Sequence, residues 1–328
     1  MWFRLLNIAG NAFVETIRQP VYGLVLLLTA LLLVFSNVIS GWTLEDDNKL
    51  MIEFGLSTLL MAGLFLAAFS AAGILAREIE NRTAMTVMSK PVSRPVFIAG
   101  KYVGLAAALA VAFYLCSIVM LIVVRHRVLE AASDPYDVPA LVFGFGALLL
   151  VFLIGGFCNF FYGSLFQPLA VKLAVGLFTA AALALCLVDK NWQLQAFGAD
   201  FLDPAVIAAI FLVFLSVLVL TAIALAASTR LGQVMTLLVC VGFLILGLIS
   251  DYVFGGGAES AGSPIAAGLL GAAYHLLPNL AAFLVSDALV GGRAVPVYYV
   301  AVAAFYGLLH IVAALLVAIA LFQERELG

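Results

Sequence analysis

The sequence predicts an all-α polytopic membrane protein with about eight transmembrane helices. Of its 328 residues, 66% are hydrophobic and only 10% are charged, whereas about half of the residues of a soluble domain are apolar. The mean hydropathy is +1.22. Apolar runs recur along the whole chain, and many approach the roughly 20 residues that a helix needs to cross the hydrocarbon core. We therefore interpret residues 1–328 as a single transmembrane domain.

The first element, residues 1–20, is predicted to be a helix that lies in the membrane interface. Polar residues recur at every third or fourth position, so the segment lacks the continuous apolar core of a signal peptide. In a helix these polar residues share one face, opposite most of the large apolar side chains. They are Arg4, Asn7, Asn11, Glu15 and Arg18. The alternative is that the segment is simply the start of the first span.

Eight apolar segments qualify as spans by their length. They are residues 21–40, 55–76, 102–124, 140–162, 170–188, 205–228, 233–250 and 297–321. An even number of spans places both ends of the chain on the same side of the membrane. In the third span, Gly104, Ala108 and Ala112 recur every four residues, and this row of small side chains predicts the close packing of another helix.

The positive charges predict which side this is. With both termini in the cytoplasm, ten of the 15 Lys and Arg residues lie in cytoplasmic segments and five lie outside. The positive-inside rule requires this direction, because cytoplasmic loops of membrane proteins carry an excess of Lys and Arg. Arg125 and Arg127, both on the outer side, run against the rule locally. We expect a multi-pass protein of a bacterial-type inner membrane with both termini cytoplasmic.

Residues 252–296 form a long outer connection that is not a polar loop. Its middle, SPIAAGLLGAAYHLLPNLAAFLVSDAL, is apolar but is interrupted by Pro278. A proline in the interior of a helix removes a backbone hydrogen bond, so we expect an outer re-entrant hairpin of two short helices, shielded by the protein. The alternative is a ninth span, which would place the C-terminal FQERELG outside.

The chain shows no catalytic constellation. It has no HExxH or GxSxG motif, and its four cysteines lie in apolar runs without CxxC spacing, so we expect no metal site and no catalytic residue. Apart from Tyr and Cys, His310 is the single ionisable side chain deep in a predicted span, and we interpret it as a residue that hydrogen-bonds one helix to another. We expect no nucleic-acid partner.

The pair of Gly100 and Lys101 tests for a nucleotide site. A P-loop requires a glycine where Pro95 stands and a serine or threonine where Tyr102 stands. The chain therefore binds no nucleotide through a P-loop, and we expect no cofactor on the chain itself. If ATP drives the protein, another subunit must bind it.

Residues 77–101 concentrate seven charged side chains in one cytoplasmic segment. Glu78 and Arg82 are spaced four residues apart in the order that favours a helix, and Met85 and Met88 add apolar surface. This pattern predicts a short helix on the cytoplasmic surface. The alternative is an ordinary solvated loop that carries positive-inside charge.

The same segment then turns back towards the membrane. Lys90 and Pro91 end the short helix, and Ser93 can cap the next one. Pro95 suits the first turn of that helix, which continues into the third span. The residues of the predicted turn and re-entry are Lys90, Pro91, Ser93, Arg94 and Lys101.

These residues carry a family resemblance. The run AREIENRTAMTVMSKPVSRPVFIAGKYVGL resembles the first cytoplasmic loop of type-2 ABC transporter permeases, especially the branch of the copper-enzyme-maturation permease of nitrous oxide reductase systems. Members of that branch carry an acidic pair, a short helix with threonine, a (S)KP(V/I)SR turn and a GK pair. The segment YHLLPNLAAFLVSDALVGG is similar to their outer hairpin, and FQERELG is similar to their charged tail.

The resemblance implies the membrane subunit of an ATP-driven exporter. Two permease copies would join two cytoplasmic ATPase subunits, which bind ATP and magnesium. The short helix of the first loop, the coupling helix, would dock on the ATPase through Glu78, Glu80, Arg82, Thr83, Met85 and Met88. The family core has six spans, which match the first three and the last three here, so residues 140–188 would be an added pair.

Two other functions stay open. A stand-alone channel or secondary carrier would need charges within the spans or internal repeats, and neither is apparent in the sequence. A membrane subunit that transmits mechanical force without transporting anything would use the same parts as a transporter. A second copy of the chain, in a homodimer, and membrane lipid are the other expected partners. No residue pattern identifies a substrate, and no cluster of Cys, Met or His residues supports copper.

Overall fold

The computed structural model describes residues 2–40, 47–80, 93–129, 135–260, 262–290 and 293–323. Within these ranges the protein forms eleven α-helices of five or more residues. They are α1 (Trp2–Arg18), α2 (Pro20–Ser40), α3 (Asp47–Glu80), α4 (Arg94–His126), α5 (Val138–Tyr162), α6 (Phe166–Leu187), α7 (Pro204–Ser228), α8 (Gln233–Leu248), α9 (Pro264–Leu276), α10 (Ser286–Val290) and α11 (Val297–Gln323). The all-α prediction is confirmed.

Eight helical segments of the described chain are long and apolar enough to cross a membrane. Seven of them correspond to predicted spans, and the eighth, Pro264–Phe283, has the lowest mean hydropathy, 1.3. The predicted span at 233–250 differs. There α8 has 16 residues and is followed, after a bend of 60°, by the segment Asp251–Ala258, and this bent pair would make a ninth candidate. The polytopic membrane architecture is confirmed, and the difference is confined to residues 233–296.

The long helices alternate in direction, so their ends collect at two levels. We call the level that holds α1, the start of α4 and the end of α11 the base, and the level at which α4 ends and α5 begins the crown. At the base, Arg94 is hydrogen-bonded to Gln323. At the crown, the Asn37 side chain near the end of α2 donates to the carbonyl of Arg127, just after α4.

The core of the bundle lies around α7. This helix is apolar on all sides. Of the residues in its most apolar 18-residue stretch, 72% are buried, against 56% in α3 and in α4. It packs against α3, α4, α8 and α11. A helix that is apolar all round belongs in the interior of a protein or a membrane, and α7 is largely enclosed by the other helices.

α5 and α6 form a hairpin at the edge of the bundle. They pack on each other and on α4. Only 17% of the most apolar stretch of α5 and 28% of that of α6 are buried. Aromatic side chains at the base end of α5 face outward, with Phe160 82% and Tyr162 74% exposed. In a membrane such side chains contact lipid and its interface. The hairpin leaves an apolar groove of about 430 Å³ against α2 and α4.

The segment between α8 and α11 is broken into short helices, as the predicted re-entrant hairpin requires. α9 has 13 residues and is about 20 Å long, so α9 alone does not cross a hydrocarbon core of about 30 Å. The candidate segment Pro264–Phe283 reaches its length only when the short helical turn Ala281–Phe283, after the break at Pro278, is counted with α9. Just after Pro278 the chain passes beside α8, where the N–H of Leu280 donates to the carbonyl of Gly247 at 3.0 Å. Phe283 is fully buried, and its ring centre lies 6.0 Å from that of Tyr306 in α11. The hairpin therefore reaches about 14 Å along α11 from its crown end.

α11 runs from the crown to the base. The ninth-span alternative would place the end of α11 at the opposite level from α1. Instead, Phe322 near the end of α11 lies in the same apolar cluster as Ile8 of α1. The described chain thus begins and ends at the base, as the re-entrant interpretation requires.

Candidate coupling site at the base of the bundle

The predicted coupling loop, residues 77–101, is attached at the base between α3 and α4. α3 is described as far as Glu80, so Glu78 and Glu80 belong to its last turn, although their side chains are not among those described. Six of the other predicted contact and turn residues lie outside the described residues. They are Arg82, Thr83, Met85, Met88, Lys90 and Pro91. Their roles stay predictions.

Ser93 begins α4 as predicted but does not cap it. It holds the N-cap position with backbone angles φ −70° and ψ 143°, and its side chain makes no capping hydrogen bond. An N-cap side chain accepts a hydrogen bond from the N–H of the second or the third helical residue. The second helical residue here is Pro95, which has no N–H. The carbonyl of Ser93 accepts the N–H of Phe97 at 3.1 Å, and this bond starts the helix.

Two arginines bind the end of α11. Arg94, the first residue of α4, donates from Nη1 to the carbonyl of Gln323 at 2.5 Å. Arg230, in the turn between α7 and α8, donates from Nε to the carbonyl of Leu321 at 3.1 Å. The last four carbonyls of a helix have no partner within the helix, and that end carries partial negative charge. The two side chains therefore satisfy carbonyls of α11 and join α4 and α7 to it.

A small apolar cluster beside these arginines joins the same helices. The rings of Phe97 and Phe322 stack with their centres 5.6 Å apart, and Ile98 is fully buried. The other buried members come from α7 and α11, and they are Leu225, Ala226 and Ala318. This cluster packs the start of α4 and the ends of α7 and α11 directly against one another.

α1 packs closely against the first half of α4. A side chain at Gly104 would put its Cβ 2.2 Å from the carbonyl oxygen of Ala9, so only glycine fits at this crossing. The prediction that small residues of this helix allow close packing is confirmed at Gly104. Lys101 lies two turns into α4 and is 3% exposed, and its Nζ is 3.8 Å from Oε2 of Glu15 in α1. A steric fit and an ion pair thus attach α1 to α4.

α1 has three faces. One packs on α4 and includes Ala9, Ala12 and Thr16, which are buried. The second is apolar and exposed, with Trp2 72% and Phe3 84% exposed, and the third is the predicted polar face. A helix that exposes one apolar and one polar side suits the membrane interface, in agreement with the predicted interfacial helix.

The base is therefore a packed joint of several helices. α4 begins where the coupling loop ends, and it is attached to α1 through Gly104 and Lys101 and to α11 through Arg94.

Titratable side chains form no metal site in the part of the chain that the structure describes, where no three His, Cys, Asp or Glu residues are grouped closely enough to hold an ion. His310 differs from its prediction. Its Nδ1 lies 3.1 Å from the carbonyl of Tyr306, one turn earlier in the same helix, so this contact lies within α11 and does not join two helices.

A buried ion pair at the crown was not predicted. Arg125, near the end of α4, donates from Nε to Oδ2 of Asp137 at 2.9 Å, and both side chains are almost completely buried. The other guanidinium nitrogens of Arg125 donate to the carbonyls of Leu185 and Val188 at the end of α6. Asp137 also accepts the N–H of Ala140, as the N-cap of α5. This pair holds α4, α5 and α6 together.

The first signal for this pair in the sequence was Arg125 itself, an outer positive charge that runs against the positive-inside rule. Arg125 counts as an outer positive charge in the sequence, but a buried arginine bonded to a carboxylate and two carbonyls serves the fold. The second signal was Asp137 two residues before Pro139, because an N-cap aspartate followed by a proline in the first turn is a typical helix start.

A family model described as ABC-2 family transporter protein matches residues 6–190. The match covers more than half of the chain and runs from α1 through the coupling loop and α4 to the end of α6. The helix pair at 140–188, interpreted from the sequence as an addition to a six-span core, lies inside the matched region. A comparison with curated proteins gives no match. The chain therefore belongs to the ABC-2 transporter family, as a multi-pass permease of an ABC transporter.

Proposed function

We propose that this permease couples ATP hydrolysis by a separate ABC ATPase subunit to the export of a substrate across a bacterial-type inner membrane. The match of residues 6–190 to the ABC-2 family carries the proposal, because that family implies an ABC ATPase as partner. ATP and magnesium would bind to the partner. The chain itself would have no ATPase site, since its one Gly-Lys pair lacks the P-loop pattern.

The geometry of the base supports a path for the movement. The coupling loop joins the end of α3 to Arg94, and Arg94 is hydrogen-bonded to the end of α11. Two turns further along α4, Lys101 is paired with Glu15 of α1. Closure of the ATPase subunits would push on the loop, and these contacts would pass the displacement to α1, α4 and α11.

The proposed contact with the ATPase is the coupling helix. Its residues are Glu78, Glu80, Arg82, Thr83, Met85 and Met88. The resemblance of this loop to the copper-enzyme-maturation branch assigns no residue of the chain to copper. Copper is therefore not part of the proposed function.

Charge reversal of the acidic pair tests the contact. The double variant Glu78→Lys, Glu80→Lys is co-expressed with a candidate ABC ATPase from the same genome, and two quantities are measured: the ATPase that co-purifies and ATP hydrolysis in proteoliposomes. We expect both to fall several-fold. The matched control is Asp200→Lys, because Asp200 is exposed in the crown connection between α6 and α7 and should leave both unchanged.

Unchanged co-purification together with unchanged hydrolysis in the double variant would overturn the assignment of the coupling helix. Transport by the permease alone, without any ATPase, would instead favour the stand-alone channel or carrier. Force transmission without transport would appear as hydrolysis that depends on the coupling helix while no candidate substrate crosses the membrane.

A second copy of the chain is proposed to cover one face of α3. The exposed residues of this central helix recur every four positions, at Glu53, Ser57, Met61 and Phe65. Polar groups facing lipid are costly, so a protein partner is the better neighbour for this stripe. In a two-fold dimer, position 61 would face the same position of the partner. We expect oxidation of Met61→Cys to give cross-linked dimers and Val142→Cys on the outer face of α5 to give none.

The base is proposed to face the cytoplasm, since ten of the 15 Lys and Arg residues lie in sequence segments that are cytoplasmic in this orientation. In intact cells, a membrane-impermeant thiol reagent should label Asp200→Cys at the crown. It should not label Ser93→Cys at the base. The reverse pattern would invert the proposed orientation, with the termini outside.

A further inference from the structure

A half-open pocket of about 270 Å³ lies between the re-entrant hairpin and α11. It begins near the crown and reaches down to the level of Tyr306. Its polar and aromatic lining comes from both elements, and the residues that matter here are Tyr274, His275, Asn279, Tyr299 and Tyr306. None of its described lining residues is Lys or Arg. The pocket lies far from the coupling site, at the other end of α11.

A carboxylate is fixed behind this lining. Oδ1 of Asp251, in the bend after α8, accepts the hydroxyl hydrogen of Tyr274 at 2.9 Å and an amide hydrogen from Nδ2 of Asn279 at 2.7 Å. The backbone N–H of Asn279 in turn donates to the hydroxyl oxygen of Tyr306 at 2.7 Å. These bonds hold a negative charge and its neighbours in one arrangement, and Asp251 itself is exposed.

The orientation of Asn279 leaves one acceptor without a donor. A carboxylate oxygen only accepts, so the amide nitrogen of Asn279 must face Asp251 and Oδ1 must point away from it. This Oδ1 is buried and has no hydrogen-bond partner. Nearly all buried polar atoms in folded proteins are paired, and an unpaired one is costly. A ligand that donates a hydrogen here would remove that cost.

The rings of the lining favour the same kind of ligand. Tyr274, Tyr299 and Tyr306 surround the pocket, and the face of an aromatic ring attracts a cation. Asp251 adds a full negative charge, and an N–H donor is needed at Asn279. A neutral donor would satisfy Asn279 alone, and a quaternary cation would satisfy the rings and the charge alone. A primary ammonium group satisfies all three.

We propose that this pocket binds a primary ammonium group, which donates to Oδ1 of Asn279 and is held by the charge of Asp251 against the tyrosine rings. The volume suits a small amine or a lipid headgroup. The two sources are a water-soluble organic amine that enters from the crown and the ethanolamine headgroup of a phospholipid. The site stands on its own geometry and does not depend on an ATPase partner.

The test measures binding to the full-length protein. In detergent, 2-phenylethylamine is titrated by calorimetry, with 2-phenylethanol as the neutral analogue of the same shape. In nanodiscs, retention of phosphatidylethanolamine is compared with that of phosphatidylglycerol by mass spectrometry. We expect the amine to bind and the alcohol to bind at least about tenfold more weakly, because a charge-assisted hydrogen bond is lost. The lipid comparison tells the two sources apart, since only a headgroup site selects phosphatidylethanolamine.

Two variants assign the site. Asp251→Asn removes the charge and keeps the shape, and Asn279→Leu removes the acceptor; each should weaken binding by about tenfold or more. Tyr298→Phe is the matched control, because Tyr298 is 80% exposed and is not part of the lining. Unfolding curves check that each variant is folded. The proposal is overturned if neither the amine nor phosphatidylethanolamine binds selectively, or if folded Asp251→Asn binds as the parent protein does.

Discussion

The two ends of α4 are each held by an arginine, and the two arginines differ in one respect that matters. At the base, Arg94 is partly exposed and donates to a carbonyl at the end of α11. At the crown, Arg125 is 3% exposed and is bonded to the Asp137 carboxylate and to two carbonyls of α6. The residue type is the same, and the access of water differs.

This difference separates a contact that can be exchanged from one that is fixed. Water can replace the carbonyl of Gln323 at Arg94, so breaking that bond costs little. At the crown, separation would leave a buried charge on Asp137 without compensation, which is strongly unfavourable. The crown end of α4 should therefore keep α5 and α6 with it, while the base end can change its partners. The base is also the end at which we propose that movement enters.

The largest effect is expected at the fixed end. Arg125→Met keeps the length of the side chain and removes its charge, which leaves Asp137 buried and unpaired. We expect the free energy of unfolding to fall by about 3–5 kcal/mol. Titration with sodium dodecyl sulfate measures this loss, and a thiol-specific dye reports unfolding because Cys116, Cys186 and Cys240 are buried.

The double variant Arg125→Met, Asp137→Leu is the control for that experiment. Replacing both members of a buried ion pair by apolar side chains is often neutral or stabilising, so it should recover most of the loss. If Arg125→Met alone cost less than about 1 kcal/mol, the crown would be no more firmly held than the base.

The second effect tests whether α1 belongs to the base joint. Gly104→Ala places a Cβ 2.2 Å from the carbonyl oxygen of Ala9, so α1 must move away from α4. We expect a loss of about 1–3 kcal/mol in the same titration, as for other overpacked sites. Gly146→Ala in α5 is the matched control, since nothing lies within 4 Å of its added Cβ and alanine is the better helix former by about 1 kcal/mol. Equal results for the two variants would remove α1 from the joint.

Most of the fold could be predicted from the sequence because the bilayer imposes its own length scale. Runs of about 20 apolar residues have one common solution, a helix, and the interfacial helix and the break at Pro278 follow from local patterns. The bend of 60° after α8 could not be predicted in the same way. Residues 237–249 are apolar without interruption. The chain bends where Gly247 accepts the N–H of Leu280 and Asp251 accepts the side-chain amide of Asn279.

The site was predicted less completely, since it depends on residues that are distant in the chain. The loop at 77–101 stood out by its charge, and Arg94 was part of it. Its partner Gln323 is 229 residues away, and no local pattern joins the two. The same holds for Asp251 and Asn279, which meet through the turn of the re-entrant hairpin. The charges in the sequence therefore identify Arg94 as part of a site, but only the fold shows which residue Arg94 contacts.

A smaller effect on stability is expected at the exchangeable end. Arg94→Gln removes a charged donor from the end of α11, and we expect a loss of about 1 kcal/mol, because partial exposure reduces the value of the bond. The effect on coupling should be larger than this, since α4 and α11 would move separately. ATP hydrolysis by the reconstituted complex measures it. Arg127→Gln at the crown is the control, and a loss of stability at Arg94 as large as that at Arg125 would contradict the comparison.

The smallest effect on stability is expected at the N-cap residues of α7 and α4. Asp203 at the crown accepts the N–H of Ala205 at 2.8 Å as the N-cap of α7, and Asp203→Ala should cost about 1 kcal/mol. Ser93 holds the same position before α4 without a side-chain bond, so Ser93→Ala should change the free energy of unfolding by no more than a few tenths of a kcal/mol. A helix start that is not fixed by its cap can shift when the loop before it is displaced. If Ser93→Ala lowered the free energy of unfolding as much as Asp203→Ala, the start of α4 would be held as firmly as the start of α7. The proposal that the base is the end that moves would then be contradicted.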